Sequence, residues 1–161
     1  MKSAEYWIDH LNLEPHPEGG YFKQTDCSEI PYENNNKELP LYTNIYFLLT
    51  PESPSHFHQL TSDELWYYHA GNSLTVHSLH EDGRYTTATL GLNEGQVLHH
   101  NVQAGTIFGS TVEEGYALVS CTVVPGFDFD DFQLFTKHYL LKQYPDHKEI
   151  IHKLAYDQLP E

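Results

Sequence analysis

The sequence is short of positive charge, and this shortage removes the first class of partner. Lys and Arg total 8 against 23 Asp and Glu, which gives a formal net charge of −15, and Arg84 is the only arginine. A phosphate backbone would be repelled by such a chain, and no basic stretch interleaved with aromatic residues is present to hold a single strand. We therefore exclude nucleic acid as a partner.

Cysteine and long apolar stretches are also scarce. Cys27 and Cys121 are far apart in the sequence, and Cys121 lies in an apolar run typical of a buried, inert thiol, so that nothing demands a disulfide. Residues 1–15 lack the apolar core of a secretory signal, and no stretch has the apolar length of a membrane span. These absences predict a cytoplasmic protein with no membrane partner.

What the chain does contain is a series of short strand patterns separated by regular turn signals. Residues 42–50 are rich in aromatic and branched residues, and Asp82-Gly83 is a strong hairpin signal that joins 74–80 to 85–90. We also expect 64–69 to pair with 74–80, and 29–39 to form a mobile surface loop. The pattern predicts one all-β domain over residues 1–161.

Helical patterns flank these strands at both ends of the chain. Ser3 is placed to cap a short N-terminal helix whose apolar residues recur at helical spacing, and Asn12 ends it. Asp146 to Glu149 resembles a capping box, and the residues that follow present one apolar face. The C-terminal segment is therefore predicted to be helical and to pack on the outside of the barrel.

The chemistry of the sequence is concentrated in residues 55–71. His56 and His58 are two residues apart, which on an extended strand places them on the same face. Glu64, Trp66 and Tyr68 repeat that period on the next predicted strand. If this face lines the inside of a small barrel, it brings imidazoles, a carboxylate and aromatic rings into one cavity.

These residues carry a resemblance to a known family. His56-x-His58, Glu64 and Gly71 resemble the first motif of the cupin superfamily, whose members are small jelly-roll barrels. More closely, the chain is similar to a small single-domain cupin subgroup catalogued as a domain of unknown function and distantly related to dTDP-4-dehydrorhamnose 3,5-epimerase-type cupins. The motifs that carry this similarity are Pro17 to Phe22, Ile45 to Leu49, Asp63 to Trp66, Ala104-Gly105, Ala117 to Val119 and Pro125 to Phe129. The resemblance implies a double-stranded β-helix, with a short N-terminal helix and a C-terminal helical segment, that forms a homodimer.

A metal centre is one hypothesis for the site. His56, His58 and Glu64 could bind a divalent transition metal, because two imidazoles and a carboxylate suit iron, manganese or zinc. The resemblance, however, places a further histidine ligand three residues after Gly105, where this chain has Phe108. We therefore expect no cofactor, with the metal kept as the alternative and a metal-dependent oxygenase as the function it would support.

Acid–base chemistry is the other hypothesis, and the roles follow by analogy of chemical types with the sugar-nucleotide epimerases among the cupins, whose own motifs do not match this chain. His58 with Asp63 or Glu64 would move protons, and Tyr46 or Tyr68 would act as the acid. The pocket would be lined by Ser55, His56, Gln96 and Phe108, with Trp66 as a flat wall for a ring. We expect a sugar-like or nucleotide-sugar ligand and an epimerase or isomerase reaction, with a non-catalytic binding module as the alternative. Glu18, in the turn before Gly19-Gly20, is expected to be a surface or loop-anchoring carboxylate.

Overall fold

The computed structural model describes all 161 residues, Met1–Glu161, and shows two antiparallel sheets that face each other. The helices are α1 (Ala4–Leu11), α2 (Lys137–Gln143) and α3 (Lys148–Leu154), with a short 3₁₀ turn at Phe129–Asp131. The strands are β1 (Glu14–Pro15), β2 (Tyr21–Cys27), β3 (Pro31–Asn34), β4 (Lys37–Pro40), β5 (Thr43–Leu49), β6 (Ser55–Leu60), β7 (Asp63–Gly71), β8 (Leu74–Leu79), β9 (Tyr85–Leu90), β10 (His99–Val102), β11 (Ile107–Val112), β12 (Ala117–Val124) and β13 (Phe132–Leu134).

One sheet has six strands in the order β1-β2-β5-β12-β7-β10, and the other has five in the order β13-β6-β11-β8-β9. The apolar core lies between them and is built around side chains such as Phe47, Trp66 and Phe108. A second apolar cluster packs α2 and α3 against the outer face of the five-stranded sheet, and a third packs α1 against the six-stranded sheet. The predicted all-β jelly roll with short helices at both ends is confirmed. None of the helices is long and apolar enough to cross a membrane.

Several local predictions hold. The Oγ atom of Ser3 accepts a hydrogen bond from the backbone N–H of Tyr6 at 3.1 Å, and α1 ends at Asn12, which has a left-handed backbone. Strands β8 and β9 pair across Asp82-Gly83, as the hairpin signal indicated. The C-terminal segment is helical and buries Ile151 and Leu154.

Three local predictions are wrong. Strand β7 does not pair with β8, because the chain crosses from one sheet to the other after Gly71, whose φ of +92° turns it out of the first sheet. Residues 29–39 do not form a loop but the β3–β4 hairpin, because Asn35 and Asn36 both adopt the positive φ that a tight hairpin turn needs. The capping box does not form, since the N-cap of α3 is His147, whose side chain makes no capping hydrogen bond.

Candidate active site in the barrel

A cavity of about 90 Å³ lies inside the barrel, near the end where β2, β5, β6, β7 and β12 approach one another. Half of its lining residues are apolar and the others include two carboxyl groups and two imidazoles. The lining consists of His16, Glu18, Phe22, Gln24, Thr43, Ile45, His58, Leu60, Glu64, Val123, Phe127 and Phe129.

Glu18 occupies the centre of this site, although its sequence position suggested a loop anchor at the surface. The backbone N–H of Glu18 donates to Nδ1 of His16 at 3.1 Å, and the following Gly19 and Gly20 both have positive φ. This tight turn directs the Glu18 side chain between the sheets, where the residue is 5% exposed. The expectation of a surface carboxylate is wrong, because the two glycines alone provide the backbone conformation of the turn. The side chain of Glu18 is therefore free to point into the barrel.

Both carboxyl oxygens of Glu18 have partners from β6. The hydroxyl of Ser55 donates to Oε1 at 3.0 Å, and Nε2 of His58 lies 3.1 Å from Oε2. The other ring nitrogen of His58, Nδ1, lies 2.7 Å from the carbonyl oxygen of His56. Because a carbonyl can only accept, Nδ1 carries the hydrogen, and Nε2 of the neutral ring is left without one, next to Oε2 of Glu18.

Burial determines where the proton between Glu18 and His58 lies. Burial, followed by the nearby charge of Glu64, raises the pKa of Glu18 well above its usual value. Burial lowers the pKa of His58 to about 3, and its hydrogen bond to the backbone offsets only part of this effect. The pair is close enough for an ion pair, but both pKa shifts favour the uncharged form, and we assign a protonated Glu18 beside a neutral His58.

Glu64 enters the same cavity from β7, on the opposite sheet. Burial raises its pKa to about 7, although a hydrogen bond from the Cys121 thiol acts in the other direction. Its Oε2 atom is buried and has no hydrogen-bond partner. Glu64 is therefore the carboxyl group that is free to engage a ligand, and its pKa lies where proton transfer at neutral pH is most efficient.

His16 was not recognised from the sequence as part of the site. Its ring lies among phenylalanine rings, with centroid distances of 4.7 Å to Phe22, 5.8 Å to Phe132 and 6.1 Å to Phe129. Burial lowers the pKa of His16 to about 4, so that this imidazole is neutral at physiological pH. The signal in the sequence was its position directly before the Pro17 to Phe22 motif, which carried part of the family resemblance.

The segment after β12 closes the mouth of the cavity. Phe127 and Phe129 line the cavity from this segment, which contains the short 3₁₀ turn at Phe129–Asp131. Nζ of Lys37, on the β3–β4 hairpin, lies 3.1 Å from a carboxylate oxygen of Asp128 and 3.2 Å from one of Asp131. The acidic residues of the segment thus hold it against the hairpin, while its aromatic residues cover the cavity.

His56 does not share the cavity with His58, and the prediction that they face the same way is wrong. Ser55 of β6 pairs with Ser110 of β11, and His58 pairs with Phe108, so two residues of β6 lie opposite Gly109 alone. This extra residue is a β-bulge in β6. The His56 ring stacks on Tyr156 at 3.8 Å. Its backbone N–H and its Nδ1 lie 2.6 and 2.8 Å from the carbonyl oxygen of Glu18, so that His56 holds the backbone of Glu18 in place.

Three further residues expected in the acid–base site lie outside the cavity. Asp63 is exposed and accepts the backbone N–H of Ala104 at 2.8 Å. Tyr46 packs in the cluster between α1 and the six-stranded sheet, and the hydroxyl of Tyr68 donates to the carbonyl of Gly71. Asp63 therefore anchors a turn, and the hydroxyl groups of Tyr46 and Tyr68 do not reach the cavity. The structure does not bring any of these three side chains to His58.

The remaining predicted lining residues support the site or lie far from it. Trp66 is fully buried in the core beneath the cavity, and Phe108 packs on His58 with ring centroids 4.2 Å apart. Gln96 accepts from the hydroxyl of Ser73 at a distant turn. Of the residues predicted for the site, His58 and Glu64 line the cavity, and Ser55 supports it by donating a hydrogen bond to Glu18.

The residues proposed as metal ligands do not fit a bound metal. His56 is outside the cavity, Nε2 of His58 is engaged by Glu18, and the apolar ring of Phe108 stands where the superfamily motif would supply another imidazole. No group of three or more His, Cys, Asp or Glu side chains in the chain is arranged to hold a metal ion. The donor groups present instead suit hydrogen bonding and proton transfer.

The two facing antiparallel sheets define the structural class of the protein as a jelly-roll barrel. Within that class the chain belongs to the cupin superfamily, as its residues 5–135 match the model of the family described as Cupin superfamily (DUF985).

Similar proteins extend over most of the chain. It is 43% identical to a protein from Shewanella oneidensis of known crystal structure, with a TM-score of 0.92 over 98% of this chain and 100% of the other. It is 32% identical to an uncharacterized protein of Saccharomyces cerevisiae over 80% of this chain and 73% of that protein. Oxalate decarboxylase from Bacillus subtilis shares the fold alone, with 17% identity and a TM-score of 0.56 over 92% of this chain and 40% of that one.

Proposed function

We propose that the barrel cavity binds a compact, sugar-like molecule and moves protons between this ligand and the buried carboxyl groups, as an isomerase or epimerase does. One observation carries the proposal. Glu64, with a pKa of about 7 and a free oxygen atom, shares a small cavity with the Glu18–His58 pair, which holds one proton. A base and an acid thus act on the same ligand.

The reaction that suits these groups is the enolisation of an α-hydroxy carbonyl compound. The Glu64 carboxylate takes the proton from the carbon next to the carbonyl, and the electron pair of that C–H bond forms a carbon–carbon double bond. The carbonyl π electrons move to the oxygen atom, which takes the proton held by the Glu18–His58 pair. Return of the proton to the same carbon from the other face inverts that carbon, and the enol hydroxyl gives its proton back to the Glu18–His58 pair. Delivery of the proton to the former carbonyl carbon isomerises the compound, because the neighbouring hydroxyl then loses its proton to the pair and becomes the new carbonyl. Neither outcome involves net oxidation.

The size of the cavity limits the ligand. A volume of about 90 Å³ is far below the roughly 300 Å³ at which sites for drug-sized ligands begin. A nucleotide sugar cannot be enclosed, so we propose a ligand of three or four carbon atoms, or the end of a longer molecule that passes beneath Phe127 and Phe129.

Exchange of carbon-bound protons tests the proposal directly. The purified chain is incubated in D₂O with dihydroxyacetone, glyceraldehyde or glycolaldehyde, and the proton next to the carbonyl is followed by ¹H NMR. We expect exchange that depends on the protein, that is lost in Glu64→Gln and in His58→Ala, and that persists in Glu94→Gln, whose residue lies in an exposed turn. Circular dichroism establishes that each variant is folded.

The alternative function is a binding module without chemistry. Probes that bind in the cavity but exchange no faster than in buffer would contradict the catalytic proposal and favour this alternative. Equal exchange in wild type and Glu64→Gln would remove Glu64 as the base.

A further inference from the structure

Among the fully buried side-chain oxygen and nitrogen atoms that line the cavity, one has no hydrogen-bond partner. Oε1 of Glu18 accepts from the hydroxyl of Ser55, and Oε2 of Glu18 lies 3.1 Å from Nε2 of His58, whose Nδ1 is bonded to the backbone. By contrast, Oε2 of Glu64 is buried without a partner, and its residue is only 5% exposed. A buried carboxyl oxygen left without a partner is energetically unfavourable, and a ligand that supplies a hydrogen-bond donor would remove this cost.

The cavity contains nothing that would neutralise an anion. No Lys or Arg lines it, and burial lowers the pKa values of both of its imidazoles, His16 and His58, so that they are uncharged. Its two carboxyl groups are close enough for the charge of Glu64 to affect Glu18. The formal net charge of −15 repels anions further. A phosphate or carboxylate group entering here would be desolvated next to a like charge.

We infer that Glu64 is the group that anchors the ligand, and that the ligand is an uncharged molecule that presents a hydroxyl group to Oε2 of Glu64. The inference rests on the proposed function only in placing the ligand in this cavity. It narrows the ligand from sugar-like compounds in general to small neutral polyols and hydroxy carbonyl compounds, and it excludes phosphorylated sugars and sugar acids.

A hydroxyl group suits Glu64 better than an ammonium group does. A hydroxyl can donate to the carboxylate and accept from the carboxylic acid, so it satisfies Oε2 in both protonation states. An ammonium group can only donate, and the attraction it gains in a buried ion pair is largely offset by the desolvation of both charges.

The rest of the cavity surface suits a ligand with a hydrocarbon face. Half of the residues that line the cavity are apolar, and the other half include both carboxyl groups. These apolar residues are Phe22, Ile45, Leu60, Val123, Phe127 and Phe129. C–H groups of a short polyol would contact them while one hydroxyl reaches Glu64, which matches the mixed character of a carbohydrate fragment.

Three probes of nearly equal size and different charge test the inference. Glycerol is neutral, glycerate is an anion, and 2-amino-1,3-propanediol is a cation at pH 7.5. Binding is measured by saturation-transfer NMR, and the ¹³C resonance of the Glu64 carboxyl group reports contact at the anchor. We expect glycerol to bind and to shift this resonance, glycerate to bind at least about tenfold more weakly, and the amine to bind no better than glycerol.

Two variants separate the hydrogen bond from the charge. Glu64→Leu has a similar shape but no acceptor, and it should weaken glycerol binding by about tenfold, the value of one hydrogen bond to a buried carboxyl group. Glu64→Gln keeps the hydrogen-bonding capacity without the charge, and it should retain glycerol and bind glycerate more tightly than wild type does. Glu94→Gln is the matched surface control.

Equal binding of glycerol and glycerate, tighter binding of the amine, or full glycerol affinity in Glu64→Leu would each overturn the inference. None of these measurements depends on turnover. Charge-selective binding without proton exchange would therefore sustain the inference and refute the catalytic proposal, whereas exchange without charge selectivity would do the reverse.

Discussion

Nε2 of His58 lies 3.1 Å from Oε2 of Glu18, and the two side chains are only 1% and 7% exposed. A pair this close has one shared proton whose position defines the chemistry of the site. If the proton were on His58, the barrel would hold a buried ion pair near a third ionisable group, Glu64. If it is on Glu18, the pair is neutral and ready to donate.

We predict that His58 is neutral, with its hydrogen on Nδ1, throughout the physiological pH range. Burial lowers its pKa to about 3, and the carbonyl of His56 fixes the tautomer by accepting from Nδ1. Two-bond ¹H–¹⁵N correlation spectra of the ring measure both properties at once. Free histidine in the same buffers provides the reference for a solvated ring.

At pH 6 the spectrum should show one protonated and one unprotonated ring nitrogen for His58. Two protonated nitrogens would contradict the assignment and mean that Glu18 is ionised. In Glu18→Gln the neutral tautomer should persist, because the amide N–H can donate to Nε2 in place of the carboxylic acid.

The second prediction concerns the pH dependence of stability that arises from Glu64. Its pKa rises from 4.5 in the unfolded chain to about 7 in the folded chain, so that the folded state holds the proton more tightly. This contribution to stability is complete below pH 4.5 and is lost as the pH rises through 7. A shift of this size corresponds to about 3 kcal/mol.

The stability of Glu64→Gln should therefore increase relative to wild type as the pH rises. Urea unfolding at pH 5.5 and pH 8 should show the difference between the free energies of unfolding of variant and wild type growing by roughly 2 to 3 kcal/mol. Taking the difference cancels the opposite contribution of the buried histidines, whose lowered pKa values make stability rise with pH. A constant difference, like that expected for Glu94→Gln, would show that Glu64 is not desolvated.

The family motifs made the fold predictable from the sequence, as did the strand patterns and turns. The Asp82-Gly83 hairpin and the Ser3 cap depend on neighbouring residues alone, so they appear as expected. The predicted pairing of residues 64–69 with residues 74–80 was wrong, because the strand after Gly71 joins the other sheet. Which sheet it joins depends on contacts between strands that are distant in the sequence.

The site was harder to predict than the fold. Period-two alternation placed His56 beside His58, but the bulge opposite Gly109 breaks that alternation, and nothing in the sequence of β6 marks it. Glu18 looked like a surface residue because a turn usually lies in solvent. Its burial follows from the way this turn folds against β6, which only the assembled barrel reveals.

The third prediction concerns the segment that covers the cavity. Lys37 contacts the carboxylates of Asp128 and Asp131, and it also approaches Asp130 at 3.8 Å. Lys37→Met keeps the length of the side chain and removes the charge, so three carboxylates would then repel one another. We expect faster hydrogen exchange of the backbone amides of residues 127–131, with the exchange of the barrel strands unchanged.

Arg84→Met is the matched control, because Arg84 forms a comparable exposed ion pair with Asp82 at a different turn. It should leave exchange at 127–131 unaltered. Raising the salt concentration should accelerate exchange of this segment in wild type, because screening weakens the contacts to Lys37. It should slow exchange in Lys37→Met, because screening there weakens the repulsion among the carboxylates. Identical exchange in wild type and Lys37→Met would show that aromatic packing alone holds the segment.

The last prediction tests how the turn at Gly19 places Glu18. Gly19 has a φ of +104°, and a methyl group there would overlap the carbonyl oxygen of Pro54 and approach Nδ1 of His56 to 3.1 Å. Gly83 has a similar φ of +91°, but nothing lies within 4 Å of the position of its added carbon. Alanine at Gly83 therefore measures backbone strain alone, whereas alanine at Gly19 adds a collision with β6.

We expect Gly83→Ala to lower the free energy of unfolding by about 1 kcal/mol and Gly19→Ala to lower it by about 3 kcal/mol or more. Urea unfolding measures both. Because the collision pushes the turn away from β6, Gly19→Ala should also separate Glu18 from His58 and change the ring ¹⁵N shifts of His58, which Gly83→Ala leaves in place. Equal losses of stability with unchanged His58 shifts would mean that the turn relaxes freely and that its two glycines do not determine the position of the carboxyl group.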